Sequence, residues 1–171
     1  VLDSPLEVRE LIIEKNKINH RSRMLAGYCW DWIRDGKNNP KVHDIKIGDF
    51  EMSWNLGNSI FALDETSIDE IGCIHTSQGL EFDYVGLIIG DDMRYENHHI
   101  VTDVSKRAKT DQSIKVIKKL DKQDHCKAEE KADEIIKNTY RTLMTRGMKG
   151  CYIYCTDQNL RNYLKQKIQR Q

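Results

Sequence analysis

The sequence predicts a three-layer α/β domain, a mainly parallel sheet with helices on both faces, and three observations carry that prediction. Residues 71–89 run from an apolar stretch (Ile71 to Ile74) through polar His75, Thr76, Ser77 and Gln78 to a second apolar stretch (Tyr84 to Ile89). Strand, polar connection, strand is how a phosphate- or nucleic-acid-handling edge is built on such a sheet. Asn138 to Cys155 repeats the logic, with Arg141 and Arg146 ahead of an apolar strand. Helical patterns open and close the chain and alternate with the strands between them.

Each element has its own signal. Ser4-Pro5-Leu6-Glu7 is a helix start: Ser4 can cap, Pro5 suits the first helical position and Glu7 can close a capping box. That helix is expected to reach about Lys15, with Leu6, Val8, Leu11 and Ile12 on its buried side, before a turn over Asn16 to Arg21. Arg23 to Trp30 reads as a core strand, and Gly36 to Pro40 as a loop. Ile45, Ile47 and Phe50 alternate with polar residues, predicting a short half-exposed strand before Trp54; Ile60 to Leu63 is another strand candidate. From about Asp91 to Lys137 large apolar groups thin out and mixed charge rises, predicting a charged, mainly helical insertion. Its helices are expected near Asp111 to Leu120 and from Lys127 into the second cluster. Asp157 to Gln171 reads as a final helix capped by Thr156 or Asp157, with Leu160, Tyr163, Leu164 and Ile168 on one face.

Composition limits the function classes. At 171 residues the chain is one domain of ordinary size. Its 27 Lys+Arg balance 27 Asp+Glu, so any nucleic-acid site is a local patch without a global steering field. No apolar run approaches the roughly 20 residues of a membrane span. Cys29, Cys73, Cys126, Cys151 and Cys155 are odd in number and scattered, as expected of reduced thiols in a cytoplasmic protein. Neither Cys151 with Cys155, nor His98-His99, nor His125-Cys126 has a supporting set of ligands, so no metal site is expected. Trp30, Trp32 and Trp54 are expected to pack and not to stack on bases. The basic stretch from Lys106 to Lys122 is interrupted by Asp111 and Asp121, with Asp124 just beyond it, favouring a solvated helix face over a nucleic-acid contact.

The two clusters carry the chemistry. Gly79 permits close backbone approach and leaves amides free for an anion. Thr76, Ser77 and Gln78 offer neutral hydrogen bonds suited to phosphates or sugars, and Glu81 is an acceptor for ribose hydroxyls. The same residues also suit a solvated turn with Glu81 facing water. Arg141 and Arg146 are five apart on an expected helix and cannot share a face. Arg146, beside Gly147, can reach across a cleft to phosphoryl oxygens, or it can neutralise a helix carboxylate.

His75-Thr76-Ser77-Gln78-Gly79-Leu80-Glu81-Phe82-Asp83 resembles the fifth motif of superfamily-one helicases, H-x-S-[QK]-G-x-E-F-D before a strand. Leu143-Met144-Thr145-Arg146-Gly147 is similar to their sixth, A-L-T-R-A before a strand. With the early AGYCWDW wording, the chain most closely resembles a bacterial family of helicase-like P-loop proteins related to the helicase region of Schlafen proteins. The resemblance spans nearly the whole chain and implies the second RecA-like domain of a nucleic-acid-dependent NTPase. It implies that Arg146 is an arginine finger and that Gln78, Gly79 and Glu81 lie at the nucleotide, Glu81 on its sugar. It implies that His75, Thr76 and Ser77 lie toward a single strand of DNA or RNA. Cys73 departs from the threonine often found there, and Gly147 replaces an alanine, a change expected to be tolerated. Asn19-His20-Arg21-Ser22 mimics the fourth motif, N-Y-R-S, but that element belongs before the opening helix, so Arg21 is not assigned a role.

There is no G-x-x-x-x-G-K-[ST], and no acidic pair is recognised at a strand end. The chain is therefore expected to be the C-terminal half of a longer protein whose missing P-loop domain cradles ATP and Mg²⁺, and to be inactive alone. The rival expectation is a binding or regulatory module that kept the fold and lost hydrolysis.

Overall fold

The opening helix forms where its capping residues place it. In the computed structural model, which describes residues 1–33, 39–57 and 60–169, α1 spans Pro5–Asn19. Ser4 Oγ accepts from the Leu6 amide at 3.1 Å and Glu7 Oε2 from the Ser4 amide at 3.2 Å, closing the expected box. The helix continues beyond Lys15 and ends at a left-handed cap, His20 (φ 59). Val8 and Ile12 are fully buried, whereas Leu6, expected beside them, is 41% exposed.

The main sheet contains β1 (Ser22–Ala26), β2 (Ile45–Ile47), β3 (Phe50–Trp54), β4 (Glu70–Gly72) and β5 (Phe82–Ile89). A separate antiparallel hairpin, β6 (Met93–Glu96) with β7 (His99–Thr102), follows. Then come α2 (Gln112–Asp121), α3 (His125–Met144), β8 (Gly147–Cys155), which completes the main sheet, and α4 (Gln158–Gln169). The strand order is β2-β3-β4-β1-β5-β8, parallel throughout except for the edge pair β2–β3.

Side-chain alternation divides the core into two layers, as the pleat requires. Met24, Ala26 and Ile88 pack with Val8 and Ile12 of α1. Leu25, Val85, Leu87 and Ile89 pack with Ile136, Tyr140 and Leu143 of α3 and Leu160 of α4 on the other face. Helices therefore cover both faces of a mostly parallel six-stranded sheet.

Four local expectations are corrected. The strand from Arg23 ends at Ala26, and the chain then bends at Tyr28 (Cys29 N to Gly27 O, 3.0 Å). The single strand before Trp54 is a hairpin turning at Gly48-Asp49, with Gly48 at φ 56. Ile60 to Leu63 is a turn: the Leu63 and Asp64 amides both reach the Ile60 carbonyl at 3.0 Å, and only Phe61 is buried. The insertion opens with the β6–β7 hairpin and is not wholly helical. Of the expected loop, Gly36 to Asn38 lie outside the described residues.

Arg23 is buried within β1, and its guanidinium is held by neutral acceptors. Its Nε donates to Ser67 Oγ (2.6 Å), its Nη1 to Asn16 Oδ1 (2.8 Å) and its Nη2 to the Asp64 carbonyl (2.9 Å). Burial pulls its pKa below the usual arginine value, opposed by the fields of Asp64 and Glu70. A guanidinium so satisfied ties α1 to the 61–67 turn.

Candidate functional site

The loop 73–81 links two edges of the sheet. β4 ends at Gly72, level with Leu25 of β1 and hence with Leu87 of β5, yet β5 begins at Phe82. The loop must therefore travel back roughly 16 Å along the strand direction. It does so as a wound turn: Ser77 N reaches Cys73 O (3.0 Å), Gln78 N reaches His75 O (3.3 Å) and Leu80 N reaches Ser77 O (3.1 Å). Gly79 sits at φ 74, where L side chains are strained, and a Cβ there would meet nothing.

His75 lies at the carboxyl end of the strands. Its ring stands edge-on to Tyr28, 5.9 Å between centroids, and the residue is exposed. Tyr28 also packs on Trp54, and Trp32 stacks on Trp54 at 5.1 Å, so the tryptophans at 32 and 54 are packing residues as expected. Thr76 Oγ1 accepts from the Cys73 amide (2.7 Å), and Ser77 Oγ donates to the Cys73 carbonyl (3.0 Å). Ser77 is fully buried. Both hydroxyls thus brace the turn, and Ser77 does not face solvent. Cys73 supplies the backbone that they hold.

Glu81 and Arg146 lie at the opposite, amino end. Gln78, Gly79 and Glu81 are exposed, and the side chains of Gln78 and Glu81 make no hydrogen bond or ion pair among the described residues. Arg146 follows the end of α3, so it and Arg141 do not share a helix. The Phe82 amide bonds the Arg146 carbonyl at 2.9 Å, and Arg146 Nη1 reaches the Leu80 carbonyl at 3.5 Å. Its Nε is buried without a hydrogen-bond partner among the described residues. The two clusters, far apart in sequence, therefore meet at the amino end of the sheet. Gly147 is required there: a Cβ would come within 2.2 Å of the Gly150 carbonyl oxygen. Reverting it to alanine would not be neutral in this backbone.

The same edge contains two residues to which no role is assigned from the motifs, Asp83 and Arg21. Asp83, mostly buried, accepts from Asn19 Nδ2 (2.6 Å) and Lys149 Nζ (2.7 Å), and Arg21 Nε lies 3.6 Å away. Lys149, and then Asn19, hold its carboxyl below the usual carboxylate range. Arg21 thus stands on the amino edge with Arg146, although its sequence position argued against a role.

At the carboxyl end of β5 the structure reveals an acidic pair that sequence reading missed, Asp91 and Asp92 after Gly90. Asp91 is exposed. Asp92 is fully buried, accepting from the Tyr140 hydroxyl and from Arg107 Nη1 (3.0 Å). Burial raises its pKa against the pull of Tyr140 and Arg107. Tyr140 in turn accepts from the Gly90 amide (3.0 Å). The network anchors the start of the insertion to α3 and the sheet. Among the described residues no group of three or more His, Cys, Asp or Glu is arranged to hold a metal ion, and no helix is long and apolar enough to cross a membrane. All five cysteines are free thiols.

Comparison with known proteins adds two matches. A family model described as Schlafen group 3, DNA/RNA helicase domain, matches residues 1–157. The uncharacterized protein YPL245W of Saccharomyces cerevisiae is 29% identical over 160 residues, covering 91% of this chain and 34% of the relative. The chain thus spans about a third of the length of the curated relative it matches. No solved structure matches it.

Proposed function

This chain belongs to the Schlafen group 3 DNA/RNA helicase domain family, and from that premise we propose that it is the second RecA-like domain of a nucleic-acid-dependent NTPase. The observation that carries the reading is the meeting of Arg146 with the 73–81 loop at the amino edge of the sheet. The Arg146 guanidinium, half-buried and held only by the 3.5 Å reach of Nη1 to the Leu80 carbonyl among the described residues, would offer its outer nitrogens to phosphoryl oxygens, and the unengaged Glu81 carboxylate would take ribose hydroxyls. That pair fits ATP presented from a second domain, and nothing in the chain resembles a cradle for its β- and γ-phosphates. ATP with Mg²⁺, when bound, supplies the phosphoanhydride that is cleaved. Arg146 would neutralise charge developing on the transferred phosphoryl group, an effect worth about 10³–10⁵ in rate where arginine fingers act. Glu81, with Gln78 and Gly79 beside it, would orient the nucleotide.

His75 would reach a single strand of DNA or RNA at the carboxyl end. Thr76 and Ser77 would transmit its position through the turn they brace. One continuous loop then joins the strand-facing end to the nucleotide-facing end, which is the coupling a translocase or helicase needs. Partners are the P-loop domain and the strand, and the free thiols support a cytoplasmic location.

The test is ATP turnover by the longer protein that carries this chain, with and without single-stranded DNA or RNA, beside the chain alone. Strand-stimulated turnover in the longer protein and none from the chain alone are expected. Absence of turnover in the longer protein would favour a non-hydrolysing binding module. Turnover by the chain alone that is lost on Arg146→Ala would overturn the divided site.

A further inference from the structure

The acids that punctuate the basic stretch before α3 are all engaged away from its lysines. Asp111 caps α2 through the Ser113 amide (2.9 Å) and is paired with Arg107. Asp121 holds His125 Nδ1 at 2.6 Å. Asp124 caps α3 through the Lys127 amide (3.1 Å) and meets Lys127 Nζ at 3.0 Å. By contrast Lys106, Lys109, Lys115, Lys118, Lys119 and Lys122 are exposed, and none of their ammonium groups has an ion pair or hydrogen bond among the described residues.

Helical geometry sorts four of them onto one stripe. At 100° per residue, Lys115, Lys118, Lys119 and Lys122 fall within an arc of roughly 100°, about 10 Å long. Ile117 lies on the opposite side, packed on Ala128 and Ala132 of α3, and Ile114 on the flank next to Lys118; both are buried. α2 is therefore pinned by its apolar face and, with its C-cap Lys122, presents four unneutralised ammonium groups to solvent. Lys109 and Lys118 line a groove that Asp121 and Glu129 also line, so the unneutralised charge is that of the outer stripe. In a chain of zero net charge, this stripe is a local concentration of positive charge. It contains no aromatic or arginine side chain, so it suits charge contact with a backbone and not the reading or stacking of bases.

We propose that this face of α2 binds the phosphodiester backbone of a nucleic acid without sequence preference, as a contact separate from the 73–81 loop. The contact does not rest on Arg146 or on ATP. Four lysine–phosphate contacts contribute a salt slope of about −2.8 on a single strand and about −3.6 on a duplex. Between about 50 and 200 mM salt, four such contacts on a single strand account for an approximately 50-fold loss of affinity.

The experiment measures binding of this chain to oligo-uridine and to a mixed-sequence DNA duplex across that salt range. The quadruple Lys115→Ala, Lys118→Ala, Lys119→Ala, Lys122→Ala variant is compared with its Lys→Arg counterpart. The alanine variant is expected to lose about 3 units of slope, and the arginine variant to keep it. In the wild type, bound oligo-uridine is expected to shield these four lysines from acylation, a readout that does not depend on the variants folding. Equal slopes in wild type and alanine variant, unshielded lysines, or loss of slope in the arginine variant would overturn the proposal. Binding only to phosphatidylserine vesicles or to polyglutamate, and not to nucleic acid, would also overturn it and mark a lipid or acidic-protein surface.

Discussion

Tyr140→Phe removes one buried oxygen and leaves the ring in place. In the wild type that oxygen donates to Asp92 and accepts from the Gly90 amide at 3.0 Å, and both Tyr140 and Asp92 are fully buried. The variant leaves the Gly90 N–H without a partner, a cost of about 1–3 kcal/mol. Asp92 keeps Arg107 but loses a hydrogen bond to a charged acceptor, about 1.5–3 kcal/mol. Phenylalanine recovers the desolvation of the hydroxyl, so the net loss expected is about 3 kcal/mol, or roughly 6–12 °C in Tm for a domain of this size. Urea unfolding should show a lower midpoint with an unchanged slope. Gly27→Ala provides a second view, because its methyl would stand 2.2 Å from the Tyr140 hydroxyl oxygen. Its penalty should shrink only in part in the Tyr140→Phe background, because the ring carbons at 2.5 and 2.7 Å remain, giving the non-additivity expected of neighbours in one network. A loss below about 0.5 kcal/mol in Tyr140→Phe, well under the cost of an unsatisfied buried group, would refute the network as the anchor of the insertion.

Two further outcomes follow from the candidate site. Gly79→Ala should cost about 1–2 kcal/mol, because the penalty comes from left-handed backbone and not from crowding, and Gly79→Asn should cost less; equal melting of all three proteins would argue against that backbone. Asp83 is held below the usual carboxylate range by Lys149 and Asn19. The stability it contributes is therefore fully present above about pH 4 and lost as pH falls through its depressed pKa. Thermal melts should show Asp83→Asn less stable near neutrality and converging with wild type in acid; a gap that persists in acid would show that the carboxylate charge is not the cause.

Local chemistry was readable in the chain, and pairings brought about by the fold were not. The start of α1 follows from Ser4 and Glu7 because capping operates within four residues. The meeting of the two clusters was anticipated only through their resemblance to known motifs, since no spacing rule places Arg146 against Leu80. The β6–β7 hairpin escaped because its turn uses Asn97 and His98, both at positive φ, in place of the usual Asn-Gly. The Gly48-Asp49 turn did carry a hairpin signal, but the strands beside it are short. Arg23 looked like an ordinary strand residue; its acceptors come from Asn16, Ser67 and the 61–64 turn, which only the folded chain gathers. The basic stretch is the solvated helix face its interleaved acids suggested, but which partners those acids take is set by the fold and not by the spacing.

The central claim is that Arg146 serves a nucleotide shared with another domain, and kcat for ATP in the longer protein tests it most directly. With saturating single-stranded nucleic acid, Arg146→Ala should lower kcat by about 10³-fold or more while nucleotide affinity changes little, and Arg146→Lys should restore only part of the loss. Strand-stimulated turnover that is indifferent to Arg146 would contradict the account.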